Sequence, residues 1–195
     1  MRVLVVGGGG REHALVWALV RSHDCSALYA APGNPGMARY ARCVPISAAA
    51  VPDLIGFVRQ ERIDLTVVGP EQPLASGIVD AFAAEGHLIF GPSKAAAAIE
   101  ASKAFAKALM ARHGIPTARF EVFDNPKAAR AFCRQLGAPL VVKADGLAGG
   151  KGSLVCRDLE DADRAVALCL EEKAFGGAGE RVVIEEFMEG EEASF

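Results

Sequence analysis

Through its first ninety residues the chain alternates strand-length apolar runs with helix-length runs rich in alanine. The apolar runs are RVLVV (2–6), ALYAA (27–31), DLTVV (64–68) and HLIF (87–90), and the helical stretches cover 11–21, 52–61 and 74–85. A strand that is apolar at nearly every position, not at every second one, is buried on both faces. Strand–helix–strand alternation supplies the helices that bury it. The spacing predicts an α/β unit built on an open parallel sheet of the Rossmann-like kind.

Ser93 then reads as the N-cap of one long helix, KAAAAIEASKAFAKALMARH, ended by Gly114 and Pro116. Beyond Ile115-Pro116 the pattern changes. Strands are expected near 119–123, at PLVVKA (139–144), at GSLVCR (152–157) and at RVVIEEF (181–187), with helices over 126–135 and 159–172. Two strands joined directly by a glycine-rich loop imply an antiparallel hairpin, hence a small α+β unit. The boundary between the two styles is expected between Ala101 and Phe120.

The chain's 195 residues suffice for one large domain or two small ones. A net charge of -3 and the lack of any basic run argue against a nucleic-acid partner. No stretch reaches the ~18 continuous apolar residues of a membrane span, and no signal-peptide pattern opens the chain. The five cysteines (Cys25, Cys43, Cys133, Cys156, Cys169) are odd in number and widely spaced, without a C-x-x-C pair. They read as reduced thiols of a cytoplasmic protein, Cys169 being a core residue.

The first glycine run, VVGGGGREHAL, sits where a dinucleotide fold would place its phosphate loop. The fingerprint G-x-G-x-x-G requires a third small residue, and that position is Glu12 or His13. The second strand also lacks the acidic residue that would grip a ribose, so NAD binding is disfavoured. A helix start with free N–H groups and the forked cation of Arg11 still suits a phosphate. The loops PGNPG and VVGPEQPL follow the other strands and offer Asn34 and Glu71. In an open sheet these three loops meet at the carboxyl ends of the strands.

The second glycine run, VVKADGLAGGKGS, resembles a Walker A loop but fails its count, because only three residues separate Gly146 from Gly150. Lys143, closing an apolar strand, is expected to be a fixed cation, and Lys151 a mobile one on a loop whose glycines let the backbone close over phosphate oxygens. One fixed and one mobile cation suit a triphosphate. The strand ending IEEFMEGEE could present backbone groups to a purine edge and a carboxylate to ribose hydroxyls.

In this order GGGGREHAL, APGNPG, DLTVVGPEQPL, FGPSKAAAAIEASKAFAK, HGIPTA, VVKADGLAGGKG and VVIEEFMEGEEASF resemble the phosphoribosylamine–glycine ligase (glycinamide ribonucleotide synthetase) family of ATP-grasp enzymes, along the whole chain. The lysines and the acidic hinge are shared by many ATP-grasp ligases, whereas GGGGREHAL and VVGPEQPL are more specific. The resemblance implies a cytoplasmic, ATP- and Mg2+- (or Mn2+-) dependent step of purine biosynthesis. ATP phosphorylates glycine, and the amine of 5-phosphoribosylamine then attacks the acyl phosphate. It implies that Gly9, Gly10, Arg11, Asn34 and Glu71 hold the phosphoribosyl group. Lys103, with Lys107 as a substitute, joins Lys143, Gly149 and Lys151 at the ATP phosphates, and Glu185, the backbone near Met188 and Glu192 take adenine and ribose.

In family terms residues 1–102 are the pre-ATP-grasp substrate domain, 103–122 a linker helix opening the central subdomain, 123–190 the lid, and 191–195 a return to the central subdomain. The family chain continues beyond Phe195 into the residues expected to bind the metal. The chain alone is therefore expected to lack ligase activity, and its uncovered surface to allow self-association. Two other readings stay open: another ATP-grasp carboxylate–amine ligase, and a non-catalytic nucleotide- or phosphate-binding fragment.

Overall fold

A computed structural model describes residues 1–193 and divides the chain into two compact units, Met1–Ala98 and the part from Ile99 onward. The first unit runs β1 (Arg2–Gly7), α1 (Gly10–Leu19), β2 (Ala27–Pro32), β3 (Arg42–Cys43), α2 (Val51–Glu61), β4 (Leu65–Val68), α3 (Glu71–Ser76), α4 (Ile78–Ala84) and β5 (Ile89–Phe90), then enters α5 (Lys94–Ala101). Its five strands are all parallel, in the order β3-β2-β1-β4-β5. Alternation along β1 sends Leu4 and Val6 into a cluster with Leu54 and Val58 of α2 and Phe82 of α4, and Val3 and Val5 into another with Val16 of α1. Each face is therefore buried, as the largely apolar runs implied.

The strand order reverses between β1 and β4, so the carboxyl ends of those two strands flank the switch point where such sheets bind ligands. Two features of this unit were not expected. The short β3 follows a 3-10 turn at Met37–Arg39, and the anticipated helix over 74–85 is two helices broken at Gly77, whose φ of +91 no β-branched residue would adopt.

The second unit contains α6 (Lys103–Arg112), β6 (Phe120–Phe123), α7 (Pro126–Leu136), β7 (Leu140–Ala144), β8 (Ser153–Cys156), α8 (Leu159–Val166), a π-helical turn over Ala167–Glu171 and β9 (Val182–Glu186). Its antiparallel sheet has the order β6-β9-β7-β8, with the hairpin β7–β8 pairing Leu140 to Cys156 and Lys143 to Ser153. Asn125 and Asp158 cap α7 and α8 by accepting from Ala128 N at 3.0 Å and Asp161 N at 2.8 Å.

These two helices bury Ala129, Phe132, Cys133, Ala162 and Val166 against Leu140, Val142, Val182 and Ile184 of the sheet. Period-two alternation then puts Val141, Lys143, Val183 and Glu185 on the opposite face. Cys133 and Cys169 are core residues. Burial pushes both thiols up to about 11, which leaves neither a thiolate nucleophile. All five cysteines are free thiols.

The single long helix expected from Ser93 is divided at Ser102, which is extended (φ -132, ψ 113) between α5 and α6. Ser93 does cap the first part, accepting from Ala96 N at 3.3 Å. Ser102 caps the second, accepting from Phe105 N at 3.1 Å while its hydroxyl donates to Asp145 Oδ1 at 2.9 Å. A buried carboxylate from a distant strand end thus overrides the alanine-rich helix propensity around it. Of the expected return at 191–195, residues 194–195 lie outside the described residues. Among the described residues no helix is long and apolar enough to cross a membrane.

Candidate functional site

Each unit gathers a set of the sequence-derived candidates, and each set lies at a glycine loop. In the first unit, Gly33 N donates to Gly7 O at 3.1 Å, Gly69 N to Val6 O at 3.2 Å, and Asn34 Nδ2 to Gly8 O at 2.9 Å. Arg11 Nη1 donates to Gly69 O at 2.9 Å and lies 3.7 Å from Glu71 Oε2. The three loops therefore meet at the carboxyl ends of β1, β2 and β4. Arg11 and Glu71 are both exposed there, so their mutual pairing costs little to break.

Asn34 shapes the loop as well as facing it. Its Oδ1 accepts from Gly36 N at 2.8 Å and Met37 N at 3.0 Å, an Asx turn that starts the 3-10 segment. Of the helix-start donors, Gly9 N–H is spent on the Glu12 carboxylate at 2.6 Å. Gly10 and Arg11, one and two places into α1, have no intrahelical carbonyl to bond, so these N–H groups are the ones an anion would reach.

Glu12 is the residue that sequence reasoning undervalued. It is 4% exposed, and a Cβ built on Gly7 would lie 2.6 Å from its Cγ. A Cβ on Gly69 would run into the same side chain. The glycines around Glu12 are thus small to make room for it. Its carboxylate stabilises the positive helix end, and it also competes with any incoming anion. The available signal was its place: it stands where a dinucleotide fold needs a third small residue.

In the second unit Lys143 and Glu185 project from neighbouring strands, with Lys143 Nζ 2.9 Å from Glu185 Oε2. Lys107 of α6 reaches the same oxygen at 3.2 Å and also donates to Thr117 Oγ1 at 2.7 Å. Glu185 is 4% exposed and its second oxygen, Oε1, is buried without a partner. An unsatisfied buried acceptor beside two ammonium groups is costly unless something donates to it.

Lys103, expected at the ATP phosphates, is held by backbone carbonyls. Its Nζ donates to the carbonyls of Ala144 at 2.8 Å and Gly146 at 2.9 Å, at the root of the second glycine loop. Desolvation by burial holds its ammonium below the usual lysine range, partly opposed by the nearby Asp145. Asp145, part of VVKADGLAGGKGS but given no role there, fastens this root. Its Oδ1 also accepts from Ala104 N at 2.8 Å, and its Oδ2 from Arg181 at 2.5 Å.

Past the root, Gly149 and Gly150 take φ values of +56 and +78, and no atom lies within 4 Å of where a Cβ would stand on either. Lys151 is exposed at the same tip. Met188, 67% exposed, and Glu192 lie beyond β9 in irregular chain. Lys107 and Lys143 pair with the Glu185 carboxylate and Arg181 with that of Asp145, while Lys103 is held by backbone carbonyls, so these four cations outnumber the two carboxylates, which suits an anionic ligand. Among the described residues no group of three or more His, Cys, Asp or Glu could hold a metal ion.

Residues 1–100 match the family described as phosphoribosylglycinamide synthetase, N domain, and residues 101–195 the one described as phosphoribosylglycinamide synthetase, ATP-grasp (A) domain. The chain is 53% identical to a phosphoribosylamine–glycine ligase of Xylella fastidiosa, over 100% of this chain and 46% of that protein. It is 52% identical, with the same coverage, to one of Salmonella typhimurium. It spans about half the length of the curated relatives it matches.

The crystal structure of a phosphoribosylamine–glycine ligase from Thermotoga maritima superposes with a TM-score of 0.77 at 33% identity, covering 98% of this chain and 45% of that one. A biotin carboxylase domain from Hydrogenobacter thermophilus shares the fold, with a TM-score of 0.75 at 19% identity over 96% of this chain and 44% of that one. Matches to its two domains, end to end along the chain, make this a member of the phosphoribosylglycinamide synthetase family.

Proposed function

We propose that the chain is the substrate- and nucleotide-binding part of a phosphoribosylamine–glycine ligase. The reaction would join glycine to 5-phosphoribosylamine by way of glycyl phosphate, giving glycinamide ribonucleotide, ADP and phosphate. In this reading residues 1–102 are the substrate domain, 103–122 lead into the central subdomain and 123–190 form the lid. The observation that carries it is the Glu185 carboxylate, flanked by Lys107 and Lys143, with an unpartnered buried oxygen. Such a site fits a ligand that brings both an N–H donor and anionic oxygens, as ATP does.

Lys143 and Lys151 would contact the phosphates, and the backbone at Gly149 would close over them. Lys103 would join them on leaving its carbonyls. Glu185, the backbone near Met188 and Glu192 would take adenine and ribose. ATP, when bound, supplies the phosphoryl group that turns a carboxylate into an acyl phosphate with a good leaving group. This chain's own part is to bind and orient that group. Gly10, Arg11, Asn34 and Glu71 would hold the phosphoribosyl group, with Gly9 shaping the turn. The reading assigns no magnesium ligand among the described residues.

Calorimetric titration of the chain with ATP tests the nucleotide half. Saturable binding, weakened by about tenfold or more in Lys143→Met, is expected from the loss of one charge-assisted contact. No binding, or equal binding by the variant, would count against it.

A further inference from the structure

A lysine ammonium has three donors and no acceptor, so counting its partners tells what it is free to do. Lys107 spends two on hydrogen bonds and sets its charge against Glu185 in an ion pair. It pairs with Glu185 Oε2 at 3.2 Å, donates to Thr117 Oγ1 at 2.7 Å and to the Ala118 carbonyl at 3.4 Å, and its side chain is only 11% exposed. The ring of Phe120, centred 5.4 Å from the ammonium, covers another side. Lys143 spends one donor, on that same Glu185 oxygen at 2.9 Å, and its side chain is 27% exposed. The two lysines share a carboxylate but not a situation.

One oxygen holding two ammonium groups is more than neutrality requires. If Lys143 alone held Glu185, an anion that drew it away would strand a bare carboxylate in buried surroundings, a strongly unfavourable state. With Lys107 fixed by Thr117 and Ala118, Lys143 can leave and Glu185 keeps a counter-charge. We propose that Lys107 is a positioning residue: it retains Glu185 when Lys143 turns to an anionic ligand, and it touches no ligand itself. The identity of that ligand rests on the nucleotide reading above. The hold of Lys107 on Glu185 rests only on the ligand-free geometry.

Nitrogen-15 spectra of the lysine ammonium groups test both parts on the chain as it stands. Without ligand, the Lys107 ammonium protons should exchange with water more slowly than those of Lys143 or Lys151. They should stay slow in Lys143→Met, since the other partners of Lys107 remain. Exchange in that variant as fast as at Lys151 would overturn the hold on Glu185.

On adding the non-hydrolysable analogue adenylyl imidodiphosphate, the Lys143 and Lys151 signals should shift and that of Lys107 least. A Lys107 shift as large as that of Lys143 would make it a ligand contact and overturn the proposal. If no lysine signal moves, the nucleotide reading falls, while the Lys143→Met exchange result still decides the role of Lys107. A double-mutant cycle adds the energetic readout. Lys107→Met should weaken analogue binding on the order of tenfold or more. In the Glu185→Gln background the same change should cost little, because no charge is left to strand. Equal losses in both backgrounds would refute the coupling.

Discussion

The two glycine loops look alike in sequence and are built on opposite principles. In the first, GGGGREH, glycine provides room: Gly7 and Gly69 leave space for the buried Glu12, and a Cβ on Gly8 would stand 2.6 Å from the carbonyl oxygen of Gly33. In the second, ADGLAGGKG, the tip glycines provide conformation: Gly149 and Gly150 have left-handed φ angles and open space around them. The first loop is a fixed turn whose donors are placed before a ligand arrives. The second is a fixed root, fastened by Asp145 and Lys103, carrying a tip closed by its own turn, in which Lys151 N donates to Ala148 O at 3.0 Å. Preorganisation suits a small anion that must be oriented, and such a glycine tip suits closure over a larger one.

The contrast is broken most severely at Gly8. Gly8→Ala drives a methyl group into backbone, not into a side chain that could turn away, and should destabilise the first unit by about 3 kcal/mol. Urea unfolding followed by Trp17, the single tryptophan in the sequence and in that unit, would read it. An unchanged midpoint would mean that the loops are not packed as described.

Asp145→Ala comes next. It removes an acceptor for Ser102 and Ala104 and the partner of Arg181, at a cost of about 2 kcal/mol in the second unit. Amide exchange at the start of α6 should quicken with it. Gly149→Ala should cost least, about 1 kcal/mol, from left-handed strain alone since nothing stands near the added methyl. If Gly149→Ala proved more damaging than Gly8→Ala, the division between room and conformation would be reversed.

The fold class was legible because it depends on long patterns. Largely apolar runs at 2–6, 27–31 and 64–68 implied a sheet covered on both faces, and PLVVKA and GSLVCR joined by one loop implied a hairpin. What the sequence hid were single polar residues whose partners are remote. Ser102 looks like a tolerated serine in an alanine-rich helix until Asp145, forty-three positions away, is brought beside it. Glu12 was visible as an obstacle to a dinucleotide loop but not as the group around which Gly7 and Gly69 are cut. Lys103 and Lys107 are one helical turn apart with similar neighbours, and nothing in SKAFAK tells which faces the carbonyls of 144–146 and which faces Glu185. That distinction is made by strand register and is absent from local pattern.

Amide hydrogen exchange at both loops, with each ligand in turn, is the most direct measurement of whether the two serve different parts of one ligase. Without ligand, Leu147 to Gly152 should exchange faster than β7. Adding ATP should slow exchange there and leave Gly10 to Glu12 unchanged, while ribose 5-phosphate should slow Gly10 to Glu12 and leave the second loop unchanged. Protection of the second loop equal to that of β7 before any nucleotide is added, or either ligand protecting only the opposite loop, would contradict the account.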